Sequence, residues 1–294
     1  MSDHDRLAER FESQRSQLRA VAYRMLGSLS EADDAVQEAW LRLSRADADS
    51  IENLAGWVTR VVARVCLDML RVRTARREEC LSPQAPGPAA DSQGWRDPEQ
   101  EALLADSVGL ALLVVLDRLA PAERVAFVLH DLFAVPFGEI APIVERSPTA
   151  TKKLASRARH RVHGAALGPD ADRSRQREVA DAFLAATRGG DLNALLAVLD
   201  PDVVRRADRA ALPAGGATEL RGAQAVAEET RGNWRRARFA RVALVTGTVG
   251  LIVAPRGRLL VAIGLTIKDE KITEMDVITD PLRLRQLDLA VLAN

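Results

Sequence analysis

The apolar residues of the first 79 positions recur three or four places apart, without the strict alternation of a half-buried strand. This pattern predicts an all-helical region over residues 1–80. Residues 82–98 then hold four prolines and two glycines among small polar residues. Such a composition predicts an extended, flexible linker, which we place at residues 81–98.

Two further regions follow this linker. Helical spacing resumes over residues 99–165, and a glycine- and proline-containing stretch predicts a second linker at residues 166–174. Residues 175–294 begin with helical patterns and continue with strand-like segments at 241–254, 258–268 and 271–279, joined by short turns that predict antiparallel hairpins. Asp280 and Pro281 predict the N-cap and first residue of a closing helix over "DPLRLRQLDLAVL". The fold class is therefore multidomain, with two all-α domains followed by an α+β domain.

The segment "DDAVQEAWLRL", residues 33–43, has two contrasting faces. Its buried stripe, in a helix that Ser30 is expected to cap, consists of Ala32, Ala35, Val36, Ala39, Trp40 and Leu43. The opposite face carries Asp33, Asp34, Gln37, Glu38 and Leu41. A lone exposed leucine among acids is normal on a solvated helix, but the same mixture also suits docking against partner helices.

The next helix, residues 53–78, combines an apolar stripe with a basic one. The predicted core positions are Val58, Val61, Val65, Met69 and Val72. The basic stripe begins with Arg60, Arg64 and Arg71 and is extended by Arg73, Arg76 and Arg77. Such a stripe could follow phosphates, and Trp57 beside it offers a flat surface for an unpaired base, although a plain solvated face is common.

Residues 136–163 read as a helix-turn-helix. The segment "PFGEIAPI" predicts a short helix, "VERS" a turn, and Ser147 followed by Pro148 the start of a longer helix. Its inner stripe is Ala150, Leu154, Ala158 and Val162. The outward positions are Thr149, Lys152, Lys153, Ser156, Arg157 and His160. Short polar groups for base edges, together with cations for phosphates, favour major-groove DNA binding over an ordinary basic hairpin.

Composition limits the other classes of function. The 41 Lys and Arg residues balance the 41 Asp and Glu residues, so only local charge can indicate nucleic-acid binding. Cys66 and Cys80 have no Cys or His at metal-ligand spacing, so we expect no metal, disulfide or cofactor. The N-terminus is too charged for a signal peptide, and no apolar run reaches the roughly 20 residues of a membrane span. We therefore expect a cytoplasmic location.

Two motif pairs resemble bacterial sigma factors of the extracytoplasmic-function (ECF) class, in the sigma-70 family. "YRMLGSLSEADDAVQEAWLRL" and "GWVTRVVARVCLDMLR" are similar to region two, and "RVAFVLHDLFAVPFGEIA" with "LASRAR" is similar to region four. The resemblance covers roughly the first 165 residues. It implies binding to core RNA polymerase and to promoter DNA, both as duplex and as melted single strand.

The resemblance also implies roles for the residues named above. The acidic-amide helix of region two faces the clamp helices of polymerase, which gives that role to Asp33, Asp34, Gln37, Glu38 and Leu41. The melted downstream element would be contacted by Asn53, Trp57, Arg60 and Arg64. Many members carry Asn at the position of Arg64, so base-reading details do not transfer there. The outward residues of the helix-turn-helix would read the upstream element.

The third region is similar to the SnoaL-like cone that one subgroup of these sigma factors carries. In that subgroup it tunes sigma activity and takes the place of a separate anti-sigma protein. In this chain the domain could act by intramolecular contact or by binding an unknown small-molecule ligand. The subgroup's linker and C-terminal motifs are replaced here by "CLSPQAP", "ADRAAL" and "ITDPLRL". All four histidines precede this region, and the sequence pairs none of its candidate acids with a base: Asp202, Asp208, Glu274 and Asp276.

These observations favour a non-enzymatic sigma factor that directs promoter-specific transcription initiation and is modulated by its C-terminal domain. The alternative is a one-component regulator, whose helix-turn-helix answers a ligand in the cone while the first region dimerises. An enzyme with an accessory DNA-binding module is a third interpretation, which the lack of a paired acid and base disfavours.

Overall fold

The computed structural model describes residues 3–46, 51–79, 109–164, 171–209 and 217–292. The predicted linker at 81–98 and most of the one at 166–174 lie outside these ranges. The chain divides into two compact units. The first comprises the described residues of Met1–Val108 and Leu116–Arg159, and the second those of Gly109–Val115 and His160–Asn294.

The first unit begins with three helices: α1 (Asp3–Leu26), α2 (Leu29–Leu43) and α3 (Leu54–Glu79). Large apolar side chains from all three are fully buried, including Phe11 and Met25 of α1, Leu43 of α2 and Leu67 of α3. The predicted helical bundle is thereby observed. The cap of α2 is Ser28 rather than Ser30, because the chain turns at Gly27, with φ +74°, and the Ser28 hydroxyl accepts from the Glu31 amide.

The predicted core stripe of α3 is partly wrong. Val58 and Val65 are buried, but Val61 and Met69 are only half-buried and Val72 is 51% exposed. The buried positions are instead Leu54, Val58, Val62, Ala63, Val65, Cys66, Leu67 and Leu70. The stripe is wide because α3 packs against α1 and α2 on one side and against the later helices of this unit on another. A single-face pattern could not show this second partner.

The helix-turn-helix follows α4 (Leu110–Asp117) and α5 (Pro121–Phe127), which continues as a turn of wider, π-type helix over Val128–Leu132. The short helix α6 (Phe137–Val144) and the longer helix α7 (Pro148–His163) lie where the sequence predicts them. Between them Glu145 adopts φ +57°, and its amide donates to the Ala141 carbonyl. This left-handed residue ends α6 and turns the chain toward α7.

The second unit is α+β. Its helices are α8 (Ala171–Gly189), α9 (Leu192–Val198), α10 (Ala223–Arg231), α11 (Trp234–Ala237) and α12 (Pro281–Gln286). Its strands are β1 (Leu199–Ala207), β2 (Glu219–Arg221), β3 (Ala240–Val245), β4 (Thr248–Val253), β5 (Val261–Lys268), β6 (Lys271–Ile278) and β7 (Leu289–Ala290). They form one sheet in the order β2-β1-β6-β5-β4-β3-β7. Among the described strands, only the pairing of β1 with β6 is parallel.

Several sequence expectations for this unit need correction. The segment 241–254 is two strands, because Thr246 and Gly247 form a tight turn with φ of +52° and +84°. Helix α8 begins at Ala171, four positions before the expected start of the region. Asp280 caps α12 as predicted, but the helix ends at Gln286 because the chain then forms β7 against β3. Strands β1 and β2 were not predicted.

The core of the second unit lies between the helices and one face of the sheet. It includes Phe183 of α8, Leu195 of α9, Val203 of β1, Leu251 of β4 and Met275 of β6. This arrangement is the one expected of a SnoaL-like domain, so the predicted fold class is confirmed. In the described part of the chain, every helix is too short or too polar to cross a bilayer.

Candidate polymerase- and DNA-binding surfaces

The face of α2 opposite its buried stripe is open to solvent. Asp33, Asp34 and Gln37 are exposed, and Leu41 is 39% exposed. The predicted stripe on the other side is buried except for Trp40, which is half-buried with its ring centroid 5.1 Å from that of Phe11. We call the set Asp33, Asp34, Gln37, Glu38 and Leu41 the α2 face.

Part of the charge on the α2 face is already neutralised. Asp33 accepts two hydrogen bonds from Arg19, at 2.6 and 3.0 Å, and half-buried Glu38 accepts one from Arg42 at 2.8 Å. Asp34 and Gln37 form no side-chain hydrogen bond or ion pair with any described residue. The Asp34 carboxylate and the Gln37 amide, which lie beside exposed Leu41, are therefore available to hydrogen-bond with a binding partner.

Asn53, at the start of α3, has a structural role that the sequence analysis did not predict. Asn53 Oδ1 accepts from the Gly56 amide at 3.0 Å, so this side chain caps the helix. Trp57 is half-buried, and Arg60 is exposed with its Nε 3.3 Å from the Gly56 carbonyl oxygen. Asn53, Trp57 and Arg60 thus lie together at one end of α3, with the Asn53 amide nitrogen still available as a donor.

Arg64, one turn further along α3, is held by the helix-turn-helix. Its Nη2 lies 2.5 Å from Glu145 Oε1, and its Nη1 lies 3.4 Å from the Pro142 carbonyl oxygen. Arg71 Nη2 lies 3.6 Å from the other Glu145 oxygen. A single carboxylate in the turn before α7 therefore contacts two cations of the predicted phosphate-binding stripe.

Arg73 does not extend that stripe. Its guanidinium binds Glu31 of α2, the Leu26 carbonyl oxygen at 3.1 Å, and Asp117 at 4.0 Å. Its side chain is 27% accessible, against 43% for Arg64 and 46% for Arg71. Arg73 therefore connects α3 to other segments of the bundle, each more than forty residues away in sequence. The periodicity of α3 alone cannot predict such contacts.

The outward face of α7 agrees with the sequence prediction. Ser147 caps the helix by accepting from the Ala150 amide at 3.2 Å. All six predicted outward residues are exposed: Thr149, Lys152, Lys153, Ser156, Arg157 and His160. Of the predicted inner stripe, Ala158 and Val162 are buried and Ala150 and Leu154 are half-buried.

Acidic neighbours engage two of the cations on α7. Arg157 Nε is 3.4 Å from Glu123 Oε1, and Arg159 Nε is 2.7 Å from Asp131 Oδ1. Lys152 and Lys153 form no such pair with any residue described. The two lysines are therefore the cations of this helix that are most available to phosphate groups.

The Asp208 carboxylate of the C-terminal region serves local structure. Asp208 accepts from the Thr279 amide and hydroxyl, at 2.8 and 2.6 Å, and from the Asp280 amide at 2.8 Å. Burial raises the pKa of Asp208, but these hydrogen bonds outweigh it and hold the pKa below its ordinary value. Within the described ranges, no three His, Cys, Asp or Glu side chains come together as metal ligands would.

Comparisons with known proteins match two family models to the helical regions of this chain. The model of Sigma-70 region 2 matches residues 10–76, and that of Sigma-70, region 4 matches residues 109–162. Over 288 residues, 98% of each chain, the protein is 34% identical to a Mycobacterium tuberculosis protein named "Probable ECF RNA polymerase sigma factor SigI". The chain belongs to the ECF family of RNA polymerase sigma factors.

Two further similarities involve a second ECF sigma factor of Mycobacterium tuberculosis, SigJ. The two sequences are 42% identical over 200 residues, which cover 67% of this chain and 64% of SigJ. The crystal structure of SigJ covers 94% of this chain and 98% of its own, at 32% identity and a TM-score of 0.46. Members of this family direct promoter-specific transcription initiation, so the predicted family and function are confirmed, and the one-component regulator is disfavoured.

Proposed function

We propose that this ECF sigma factor docks on core RNA polymerase through the α2 face. The observation that carries the proposal is the exposure of Asp34, Gln37 and Leu41 on the one side of α2 that the bundle leaves free. The exposed leucine supplies apolar area, while the uncommitted carboxylate and amide can pair with polar groups of a partner helix. The chain acts in this role by binding rather than by catalysis.

We also propose separate DNA-binding roles for α3 and α7. Asn53, Trp57, Arg60 and Arg64 would contact the melted downstream element, with Trp57 stacking on a base. The exposed face of α7 would read the duplex upstream element, with Thr149 and Ser156 near base edges and Lys152 and Lys153 on phosphates. Support comes from the exposure of these polar side chains on two separate helices of a chain whose net charge is zero.

The C-terminal α+β region would modulate initiation. It is a compact unit with its own core, and two of its four candidate acids, Asp208 and Glu274, are engaged in structural hydrogen bonds and ion pairs. A binding role is therefore better supported than catalysis. We place the region-two domain at 1–80 and the region-four domain at 99–165, as the sequence suggests, and move the start of the regulatory domain from 175 to about 171, where α8 begins.

The decisive experiment compares charge reversals in the full chain. Asp34→Lys on the α2 face should weaken capture of core polymerase and lower run-off transcription from a cognate promoter. Glu9→Lys is the matched control, because Glu9 is an exposed acid of α1 with no ion pair to any described residue. Equal polymerase binding by the two variants would contradict the docking role of the α2 face.

The modulating role has its own test. Full-length chain and a chain ending at residue 164 should bind polymerase alike but give different transcript yields. Identical yields from the two chains would rule out modulation by the C-terminal region.

A further inference from the structure

The C-terminal unit carries a strongly basic segment, although the net charge of the whole chain is zero. The 39 residues from Thr230 to Lys268 contain eight Lys or Arg residues and no Asp or Glu. Half of these cations lie in the short helix α11 or directly after it: Arg235, Arg236, Arg238 and Arg241. Such an imbalance creates a local positive potential that attracts polyanions.

Strand pairing brings a second basic position to the same end of the sheet. Strand β3 follows α11, and its first residue, Ala240, pairs with Val253 at the end of β4. One residue further, the Ala254 amide donates to the Phe239 carbonyl oxygen at 3.2 Å. The connection from β4 to β5 therefore lies at the end of the sheet that carries α11. Arg258, in this connection, is exposed.

Three of these cations have no acidic partner in the part of the chain that the structure describes. Arg235, Arg236 and Arg258 are exposed, and none forms an ion pair or a side-chain hydrogen bond with a described residue. The acid that precedes them in sequence, Glu229, is bound by the buried Arg205. The guanidinium groups of the three arginines are therefore available to phosphate groups.

An aromatic side chain lies among these cations. Trp234, the first residue of α11, is 53% exposed. The guanidinium carbon of Arg235 lies 5.3 Å from the centroid of its ring. An indole that is open to solvent beside available guanidinium groups can stack on an unpaired base while the guanidinium groups bind the adjoining phosphates.

This combination suits a single strand better than other polyanions. In duplex DNA the bases stack on one another, so a surface indole has no base on which to stack, and only the arginines would contribute. An anionic membrane is also less well matched. Helix α11 is four residues long and offers no extended apolar face of the kind that inserts into lipid.

We propose that Trp234, Arg235, Arg236 and Arg258 form a binding surface for single-stranded DNA, which we call the α11 patch. Trp234 stacks on an unpaired base, and the arginines bind neighbouring phosphates. This inference deepens the modulating role proposed for the C-terminal domain and relies on that role only for its effect on transcription. Contact with DNA depends on the patch alone.

Photo-cross-linking in the full chain tests the contact. The probe is an oligothymidylate of about 12 nucleotides, within the site sizes of single-strand-binding domains, that carries one iododeoxyuridine. On irradiation this base cross-links to an aromatic ring that it contacts. Peptide mapping should find the probe on Trp234, and it resolves this site from any cross-link in the helical regions. The absence of a cross-link at Trp234 would overturn the proposal.

Three variants test the role of the charges. Arg235→Ala and Arg236→Ala should each lower the yield of the Trp234 cross-link about fivefold at 0.1 M salt and sub-saturating probe, the effect of losing one phosphate contact to a single strand. Lys268→Ala is the control, because Lys268 is an exposed cation at the opposite end of β5. Equal yields in the three variants would contradict the phosphate contacts. Cross-links outside the C-terminal unit serve as the internal standard.

Competition identifies the polyanion. Unlabelled oligothymidylate should displace the probe from Trp234 at a lower phosphate concentration than either a duplex of equal length and unrelated sequence or vesicles of phosphatidylglycerol. Displacement by duplex or vesicles at an equal or lower phosphate concentration would assign the surface to that partner and overturn the proposal.

A transcription assay separates this inference from the proposed function. If Trp234 is cross-linked as described but Arg235→Ala and Arg236→Ala leave run-off transcription unchanged, the DNA contact stands and modulation through it is wrong. If truncation at residue 164 alters transcription but Trp234 is not cross-linked, the DNA inference is wrong and the modulating role stands.

Discussion

Arg64 of α3 and Glu145 of the helix-turn-helix turn are 81 positions apart in sequence, and their side chains meet at 2.5 Å. The same carboxylate lies 3.6 Å from Arg71. In the isolated chain, Glu145 of region four therefore neutralises Arg64, one of the two cations of region two that we assign to promoter DNA. Any DNA phosphate that binds Arg64 must compete with Glu145.

Replacing Glu145 by Gln should strengthen binding of single-stranded downstream promoter DNA. The gain should be at most about fivefold, because exposed ion pairs contribute about 0.2–1 kcal/mol and both side chains here are nearly half exposed. Fluorescence anisotropy at constant salt measures the affinity for this DNA. Glu139→Gln, an exposed acid of α6 without an ion pair to a described residue, is the control. Equal affinities of the two variants would show that the Arg64–Glu145 contact does not compete with DNA.

Replacing Lys152 or Lys153, the two lysines of α7 without an ion pair to a described residue, should weaken binding to duplex DNA. It should also reduce the salt dependence of that binding. Lys152→Ala and Lys153→Ala should each reduce the slope of log affinity against log salt by about 0.9, the contribution of one phosphate contact in B-DNA. Lys268→Ala, an exposed lysine of β5, should leave the slope unchanged. If Lys152→Ala, Lys153→Ala and Lys268→Ala all give the same slope, the two lysines of α7 do not contact the phosphates of duplex DNA.

Asp208→Asn should destabilise the C-terminal unit at neutral pH by about 1–3 kcal/mol, since three hydrogen bonds to a carboxylate are weakened. Because the folded pKa of Asp208 lies below its unfolded value of about 3.9, its contribution is complete above that pH. The contribution is lost as the pH falls through the folded pKa, so the two proteins should converge in strong acid. Urea unfolding at pH 7 and pH 3 measures this, with Asp202→Asn as the exposed control.

Cys66 should resist alkylation in the folded protein. Burial raises its pKa to about 12, against about 8.5 for an unfolded thiol. Because the thiolate is the reactive form, iodoacetamide at pH 8 should label Cys66 at least about a hundredfold more slowly than the same residue in urea. A Cys80→Ser background leaves Cys66 as the only thiol. Similar rates in the folded and unfolded chain would show that Cys66 is accessible.

Local patterns were enough to predict much of the fold and the candidate surfaces. Helical spacing located α2 and α7 and showed which of their residues face outward, because a helix with a periodic apolar stripe leaves its other positions exposed. Ser147, Pro148, Asp280 and Pro281 marked helix starts correctly, since capping depends on neighbouring residues alone. Family motifs then assigned roles to these outward residues, of which Asp34 and Lys152 are exposed in the structure.

The sequence by itself determined which side chains are apolar, which are charged, and where α7 and α12 begin. Only the tertiary structure decided which charges remain available: it committed Arg73 to Glu31, brought Glu145 to Arg64, and left Asp34 without an ion pair to any described residue. It also buried Arg205 beside Glu229 and paired β1 with β6. The physical reason is that periodicity and capping act within one element, whereas ion pairing and burial depend on segments that are distant in sequence and become neighbours only on folding.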